Sequence, residues 1–189
     1  MPNWTFNELR VTDGTWTKED KLEKSSDIEA REQLKAFKKS SIVKVKDDDG
    51  KETDELRLTF QGVKPRHEDL DITSGTQTDL EKAQAEINKK KYGHEDWYSW
   101  NCANWGTKWD ACHCSIDPDT DYGELEAHFD TAWSPPIEWL EAATKKYPLL
   151  HFSMRVTEES NAFIGNPTAF GGEVCLNLVD VRYPDAYGK

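Results

Sequence analysis

The chain has 189 residues, enough for one domain to bury a hydrophobic core without disulfide or metal staples. Its 36 acidic and 24 basic residues give a formal net charge of −12, which opposes nonspecific attraction to nucleic acid phosphates and anionic lipids. The sequence contains no apolar run of membrane-spanning length and no basic segment leading into an apolar one. The 4 cysteines are too few for a disulfide framework, which favours a reducing compartment. Together with the lack of a long apolar run, this predicts a cytoplasmic protein that does not enter the membrane.

The first part of the chain predicts a strand, a helix and a hairpin. Residues 3–12 alternate loosely between apolar and polar side chains, as in a half-buried strand. Ser26 or Asp27 can cap a helix that continues to about Phe37. Two short strands, residues 42–45 and 56–60, then flank an acidic turn.

The acidic turn contains Asp47, Asp48 and Asp49, followed by Gly50. It lacks the later glutamate of a calcium-binding loop, which favours a solvated hairpin tip over a metal site. We interpret these three carboxylates as candidate contacts for a basic partner.

A long polar connection, residues 62–78, and a helix that ends at Gly93 come next. Residues 40–95 are therefore interpreted as an insertion.

The second part of the chain predicts a hairpin, a helix and two further strands. The hairpin spans residues 110–116 and 124–132. Ser134, followed by two prolines, predicts the cap of a helix that ends near Tyr147, and strands follow at 151–156 and 174–181. Antiparallel hairpins with crossover helices predict an α+β fold of ferredoxin-like, split βαβ type. We expect residues 1–189 to form a single domain that carries the insertion.

Three tryptophan-rich segments carry a family resemblance. They are Pro2-Asn3-Trp4 with Asn7, Leu9 and Val11; Trp97-Tyr98-x-Trp100-Asn101 continuing to Asn104-Trp105-Gly106-Thr107-Lys108-Trp109-Asp110-Ala111; and Phe129-Asp130-Thr131-Ala132-Trp133-Ser134-Pro135-Pro136. They resemble the YubB-type ferredoxin-like domain of phage, prophage and plasmid proteins. The resemblance covers almost the whole chain.

The resemblance implies a ferredoxin-like fold and an origin in a mobile genetic element. The family is a domain of unknown function, so it supplies no catalytic residues. Thr5 stands where family members often have Cys, which weakens a cysteine-based role at this position. The motif residues are interpreted as structural: Asn3, Trp4, Asn104, Trp105, Gly106, Lys108, Trp109, Asp110, Asp130 and Trp133.

Residues with catalytic or metal-binding chemistry do not form a recognisable pattern. Cys102, Cys112 and Cys114 lack the spacing of a zinc knuckle, and in a strand His113 points away from its two neighbours. Buried free cysteines are the favoured interpretation. Asp110 and Asp130, with His113 and His128, could support acid–base chemistry, but structural carboxylates are the favoured interpretation here too. We therefore expect no enzyme activity, no cofactor and no bound metal.

The dense run of aromatic residues is the most unusual feature of the sequence. Indole N–H groups need partners, so such clusters often lie at the rim of a core or at an interface. We expect Trp97, Tyr98 and Trp100 to contact a partner, and Trp105, Trp109 and Trp133 to pack in the core. Lys108 is expected to pair with Asp110 or Asp130, or to stack on an indole.

These features favour a non-enzymatic protein that acts by protein–protein interaction. We expect an inhibitor or adaptor of a mobile element that binds a host protein. A basic, nucleic-acid-binding defence component is a natural partner, because an acidic surface can mimic nucleic acid. The alternative is a nucleic-acid-binding accessory protein that uses its sheet face and tryptophans. It would need a local basic patch, such as residues 35–46 or 89–91.

Overall fold

The computed structural model describes residues 3–16, 22–23, 27–47, 49–117 and 124–181. Its strands are β1 Trp4–Thr12, β2 Thr15–Trp16, β3 Leu22–Glu23, β4 Ile42–Lys46, β5 Glu52–Leu58, β6 Cys112–Asp117, β7 Leu125–Ala132, β8 His151–Glu158, β9 Phe163–Gly165, β10 Thr168–Phe170, β11 Glu173–Cys175 and β12 Leu178–Asp180. Its α-helices are α1 Ile28–Ser41, α2 Asp79–Tyr92, α3 Trp97–Asn104 and α4 Ile137–Lys146, with 3-10 turns at Phe60–Gly62 and Glu68–Leu70.

The central sheet has the strand order expected of a ferredoxin-like fold. Its core runs β8-β1-β7-β6, with every neighbouring pair antiparallel. The helix α1 connects β1 to the insertion and then to β6, while α4 connects β7 to β8. This is the split βαβ arrangement, and it confirms the predicted α+β, ferredoxin-like class.

The helix-covered face of the sheet contains an aromatic core. Phe37 of α1 packs edge-on against Phe152 of β8 at 5.5 Å between ring centroids. Phe60, in the first 3-10 turn, contacts Trp139 of α4 at 4.9 Å and Phe129 of β7 at 5.8 Å. These rings are all at most 2% exposed, so the insertion contributes directly to the core of the sheet domain.

The opposite face of the central sheet, which we call the open face, exposes alternate residues of the same strands. On β1, Leu9 and Val11 are fully buried, whereas Phe6 is 48% exposed. Side chains alternate between the two faces of a strand, so Phe6 and Arg10 share the open face with their cross-strand partners on β7 and β8.

Helix ends follow the sequence signals in two cases and depart from them in a third. Asp27 caps α1 by accepting a hydrogen bond from Glu29 N. Thr78 and Glu81 form a capping box on α2, whose C-cap is Gly93 in a left-handed conformation. The predicted Ser134 cap of α4 is wrong. Pro136 occupies the cap position without a side-chain bond, and Ser134 Oγ instead donates to Gly106 O at 2.5 Å.

The insertion and the C-terminal region add elements outside the sheet core. The β4–β5 hairpin is present around the acidic turn, as predicted. The predicted last strand, residues 174–181, is instead divided between β11 and β12, and β9 and β10 were not foreseen. Strands of 3 residues are too short for a recognisable alternation. No helix in the described ranges has the length and apolarity needed to cross a membrane.

Candidate binding surface

Five aromatic residues form a continuous surface at one end of the sheet, which we call the aromatic belt: Trp4, Trp97, Tyr98, Trp109 and Trp133. Neighbouring rings meet at 5.9 Å for Trp97 and Tyr98, and at 6.3 Å for Tyr98 and Trp133. The rings of Trp4 and Trp109 lie 5.9 Å apart. Tyr98 is 36% and Trp133 44% exposed, and the other three members are partly buried. The belt therefore presents aromatic surface to solvent.

The ammonium group of Lys108 joins the two halves of the aromatic belt. Its Nζ lies 4.6 Å from the ring centroid of Trp109, 5.1 Å from that of Trp133 and 5.9 Å from that of Tyr98. This satisfies the predicted stacking on an indole, and within the described residues no salt bridge joins Lys108 to a carboxylate. The cation–π contacts hold three rings around one charge.

Trp133 has a backbone conformation that is rare for a bulky residue. Its φ angle is 73°, in the left-handed region where the Cβ atom crowds the following carbonyl. The backbone is held by a hydrogen bond from Trp133 N to Asn3 O at 2.9 Å. The expected core role of Trp133 is wrong, because this turn directs the indole onto the surface beside Tyr98.

The helix α3 determines which aromatic side chains reach the surface. Asp96 and Ser99 form a capping box at its start. Trp100 lies one turn away from Trp97 on the inner side, is 9% exposed, and packs edge-on against Trp105 at 5.5 Å. The expectation that Trp100 contacts a partner is therefore corrected, because its ring is part of the core. Trp97 and Tyr98 remain predicted contact residues.

Several motif residues act as structural anchors beneath the aromatic belt. Trp105 is 1% exposed and donates its indole N–H to Lys64 O at 3.0 Å. Gly106 has a φ of 81°, a left-handed conformation that favours glycine, and a Cβ atom there would displace the Glu138 carboxylate, because it would lie 1.9 Å from Glu138 Oε2. Asn104 Nδ2 donates to Trp100 O at 2.9 Å. The structural interpretation of these residues agrees with their contacts.

The two carboxylates considered for acid–base chemistry have different surroundings. Asp110 accepts hydrogen bonds from Thr59 Oγ1 at 2.7 Å, from Phe60 N at 2.7 Å and from Ala111 N at 2.9 Å. It therefore ties the insertion to residues 104–111, which we call the motif loop. Asp130 lies on the open face, where its Oδ2 is 2.8 Å from His113 Nδ1. The ring of His113 contacts Trp4 at 5.1 Å, which extends the aromatic belt onto the sheet.

A pocket of about 610 Å³, which we call the tryptophan pocket, opens between the insertion and the motif loop. Its main walls are Trp97, Trp105, Trp109, Arg66, Asp71 and Asp110. The guanidinium of Arg66 lies 5.7 Å over the Trp105 ring, donates to Asn101 Oδ1 at 2.8 Å, and binds the carboxylate of Asp71. Sequence reasoning missed Arg66, which lies in a polar connection without any motif.

The open face adjoining the aromatic belt combines apolar and paired charged side chains. Arg10 Nη2 lies 3.3 Å from Glu126 Oε2, and Arg155 Nη1 lies 3.4 Å from Glu8 Oε2. Phe6 lies among these groups, and Ile164 at the sheet margin is 45% exposed. Each arginine is therefore already neutralised by a carboxylate of the same face.

The acidic turn is solvent-exposed and internally bonded. Asp47 Oδ1 accepts hydrogen bonds from Asp49 N at 3.1 Å and from Lys51 N at 2.8 Å, as in a hairpin tip. Asp48 lies outside the described residues. The role of these carboxylates as partner contacts stays a prediction.

The cysteines are free thiols, and three of them are partly buried. Burial raises the pKa of Cys114 to about 11, which leaves very little reactive thiolate at neutral pH. Burial also raises the pKa of Cys102 and that of Cys112. Across the described ranges, no group of 3 or more His, Cys, Asp or Glu side chains has an arrangement that could hold a metal ion. His128 instead lies 3.4 Å from Glu126 Oε1.

Comparisons with known proteins give a structural alignment over most of the chain and a family match within its second half. A protein api92 from Yersinia pseudotuberculosis, known from a crystal structure, aligns over 95% of this chain and 98% of its own, with 9% sequence identity and a TM-score of 0.45. A search of curated proteins finds no match. Residues 105–177, which span β6 to β11, match the family model described as "Ferredoxin-like domain in Api92-like protein" and are therefore similar to that domain.

Proposed function

We propose that this protein is a non-enzymatic binding protein that docks onto a basic partner protein through the aromatic belt and the adjoining open face. The observation that carries the proposal is the solvent exposure of Tyr98 and Trp133 beside partly exposed Trp97 and Trp109. Exposed large aromatic rings dominate the energetics of many protein interfaces. Exposed aromatic rings that are clustered at one end of a sheet are typical of surfaces that bind another protein.

The surroundings of the candidate acid–base groups support a role other than catalysis. Asp110 uses both carboxylate oxygens to hold backbone and hydroxyl donors of the protein itself. Cys114, the most strongly perturbed thiol, is held in its protonated and unreactive form. These groups serve the fold, which favours binding as the function.

The charge of the chain favours a basic partner. With a net charge of −12, long-range attraction steers the protein towards positively charged surfaces. The resemblance to domains of mobile elements makes a host defence protein with a nucleic-acid-binding groove a natural target. In that case the acidic protein occupies the groove in place of nucleic acid.

The alternative of direct nucleic acid binding is weakened because part of each basic run is already paired with carboxylates. Lys35 lies 2.7 Å from Glu32. Lys89 lies 2.7 Å from Glu95, and Lys91 lies 3.2 Å from a carboxylate oxygen of Asp69. On the open face both arginines are paired as well. Cations already bound to carboxylates attract phosphates weakly.

The proposal is tested by capture from a bacterial lysate with the wild-type protein and two variants. The belt variant carries Trp133→Asn and Tyr98→Ala, and Asn is chosen because it tolerates the left-handed backbone. The control variant carries Leu80→Ala, which removes an 85% exposed apolar side chain from α2. We expect a partner retained by the wild-type and control proteins and lost by the belt variant. Equal retention by all three proteins would show that the aromatic belt is not the binding surface.

A further inference from the structure

We infer that the tryptophan pocket receives an arginine side chain of the partner. The inference rests on the proposed function, and it assigns one ligand group to one cavity. The pocket volume of about 610 Å³ lies within the range of sites that bind small molecules or side chains. Trp97 and Trp109 are its partly exposed walls, and buried Trp105 is its floor.

The charges that line the pocket favour a cation over an anion. Two carboxylates, Asp71 and Asp110, face one guanidinium, Arg66. Asp71 pairs with Arg66, whereas Asp110 accepts its hydrogen bonds from uncharged donors. One negative charge is therefore left without a cation among the lining residues. Three indole rings also line the pocket, and an indole face attracts a cation.

The arrangement of Arg66 shows how a guanidinium is accommodated by these walls. Its guanidinium lies over the Trp105 ring while binding an amide oxygen and a carboxylate. A planar guanidinium stacks on an indole with little loss of hydration, whereas the compact ammonium of lysine is more strongly hydrated. The remaining indoles, Trp97 and Trp109, offer a second guanidinium the same kind of surface.

The mouth of the pocket is continuous with the aromatic belt. Trp97 and Trp109 belong to both, and Trp109 also contacts Trp4 and Lys108. A partner that covers the belt therefore covers the pocket mouth and brings its own side chains to it. An arginine inserted there is desolvated between aromatic rings, which is the setting in which interface arginines contribute most.

The test uses the whole protein and small probes in place of the unidentified partner. Nα-acetyl-arginine amide is titrated into ¹⁵N-labelled protein while the indole N–H signals are followed by NMR. The probes for comparison are the amides of acetyl-citrulline, which has the same shape without the charge, and of acetyl-glutamate. We expect saturable shifts at Trp97 and Trp109 with arginine, about tenfold weaker binding of citrulline, and no binding of glutamate.

A matched pair of variants locates the response. Asp71→Asn removes a carboxylate from the pocket, and Asp79→Asn makes the same change of charge on the exposed start of α2, where the side chain is 99% exposed. We expect Asp71→Asn to weaken arginine binding several-fold and Asp79→Asn to leave it unchanged. Absent shifts, equal binding of arginine and citrulline, or equal effects of the two variants would overturn the inference. None of these results depends on the partner, so lysate capture tests the proposed function separately.

Discussion

At the scale of single residues, Trp133 combines a costly backbone conformation with an exposed side chain. The left-handed region costs a residue with a Cβ atom about 1–2 kcal/mol. A buried indole could repay that cost by packing, but 44% of this residue is in solvent. Strain that packing does not explain is typical of residues retained for contact with a partner.

The substitution Trp133→Gly tests whether the exposed indole contributes to the stability of the fold. Glycine relieves the left-handed strain, which offsets the lost contact with Tyr98, so we expect the free energy of unfolding to change by less than about 1.5 kcal/mol. Trp105→Ala, by comparison, should cost about 3–5 kcal/mol because that indole is buried. Urea denaturation of both variants measures the difference. Similar losses from the two substitutions would mean that Trp133 is a core residue after all.

His151 links stability to pH at the start of β8. Its ring stacks on Phe170 of β10 at 4.0 Å with an interplanar angle of 9°, and burial lowers its pKa below the ordinary value of 6.5. The unfolded chain therefore binds a proton at a higher pH than the folded chain does. The contribution of the neutral ring is fully present above pH 6.5 and is lost as the pH falls below it.

The substitution His151→Phe keeps a stacked ring and removes the titration. We expect the wild-type protein to lose more stability than this variant between pH 7.5 and pH 5, because only the wild-type unfolded state gains the proton at this position. Urea denaturation at both pH values measures the difference. His128→Phe, at an exposed position of β7, serves as the control for the loss of a histidine. If His151→Phe lost as much stability as the wild-type protein between the two pH values, the buried His151 ring would not be the source of the pH dependence.

At the scale of elements, α2 is held to the protein mainly by polar contacts. Its buried residues are Ala85 and Asn88, whereas Leu80 and Ile87 are exposed. Asn88 Nδ2 donates to Asp69 O at 2.8 Å and to Glu95 O at 3.1 Å. This one amide ties the helix to the connection that leads to Asp71 and to the loop that precedes α3.

The substitution Asn88→Ala leaves two carbonyl oxygens without that donor in a buried position. We expect a loss of about 1–3 kcal/mol in the free energy of unfolding. The polar connection, residues 62–78, also supplies Arg66 and Asp71 to the tryptophan pocket. We therefore expect hydrogen exchange of residues 66–73 to become faster in Asn88→Ala. Gln84→Ala, on the preceding turn of α2, is the control, since Gln84 donates to Asn88 Oδ1 and its removal leaves both hydrogen bonds of Asn88 Nδ2 in place. Equal exchange in the two variants would contradict the anchoring role of Asn88.

The elements that could be predicted from sequence are those with local signals. Asp27, Thr78 and Gly93 mark helix ends through caps and a left-handed glycine, and the alternation of β1, β7 and β8 predicts the sheet. The exposure of Phe6 was not predicted, because the loose alternation of β1 did not separate Phe6 from the buried Leu9 and Val11. The tryptophan pocket was not predictable. Arg66 and Trp105 meet over a separation of 39 residues that only the tertiary fold brings together.

At the scale of the whole molecule, the excess of negative charge affects stability and binding in opposite ways. Repulsion among uncompensated carboxylates destabilises the compact chain, and salt screens that repulsion. The exposed ion pairs contribute little to the free energy of unfolding, so the loss of stability when salt screens them is small. We therefore expect the midpoint of thermal unfolding to stay constant or rise when sodium chloride is added.

Binding to a basic partner should respond to salt in the opposite direction. Steering by a net charge of −12 is screened as the Debye length falls, so retention of the partner should decrease steeply between low and high salt, mainly through a slower association rate. Surface plasmon resonance with the captured partner measures this rate. Thermal unfolding at the same salt concentrations is the control, because a constant or higher midpoint means that lost binding is not caused by unfolding. Binding that is insensitive to salt would place the affinity in the aromatic belt alone and exclude mimicry of nucleic acid by charge.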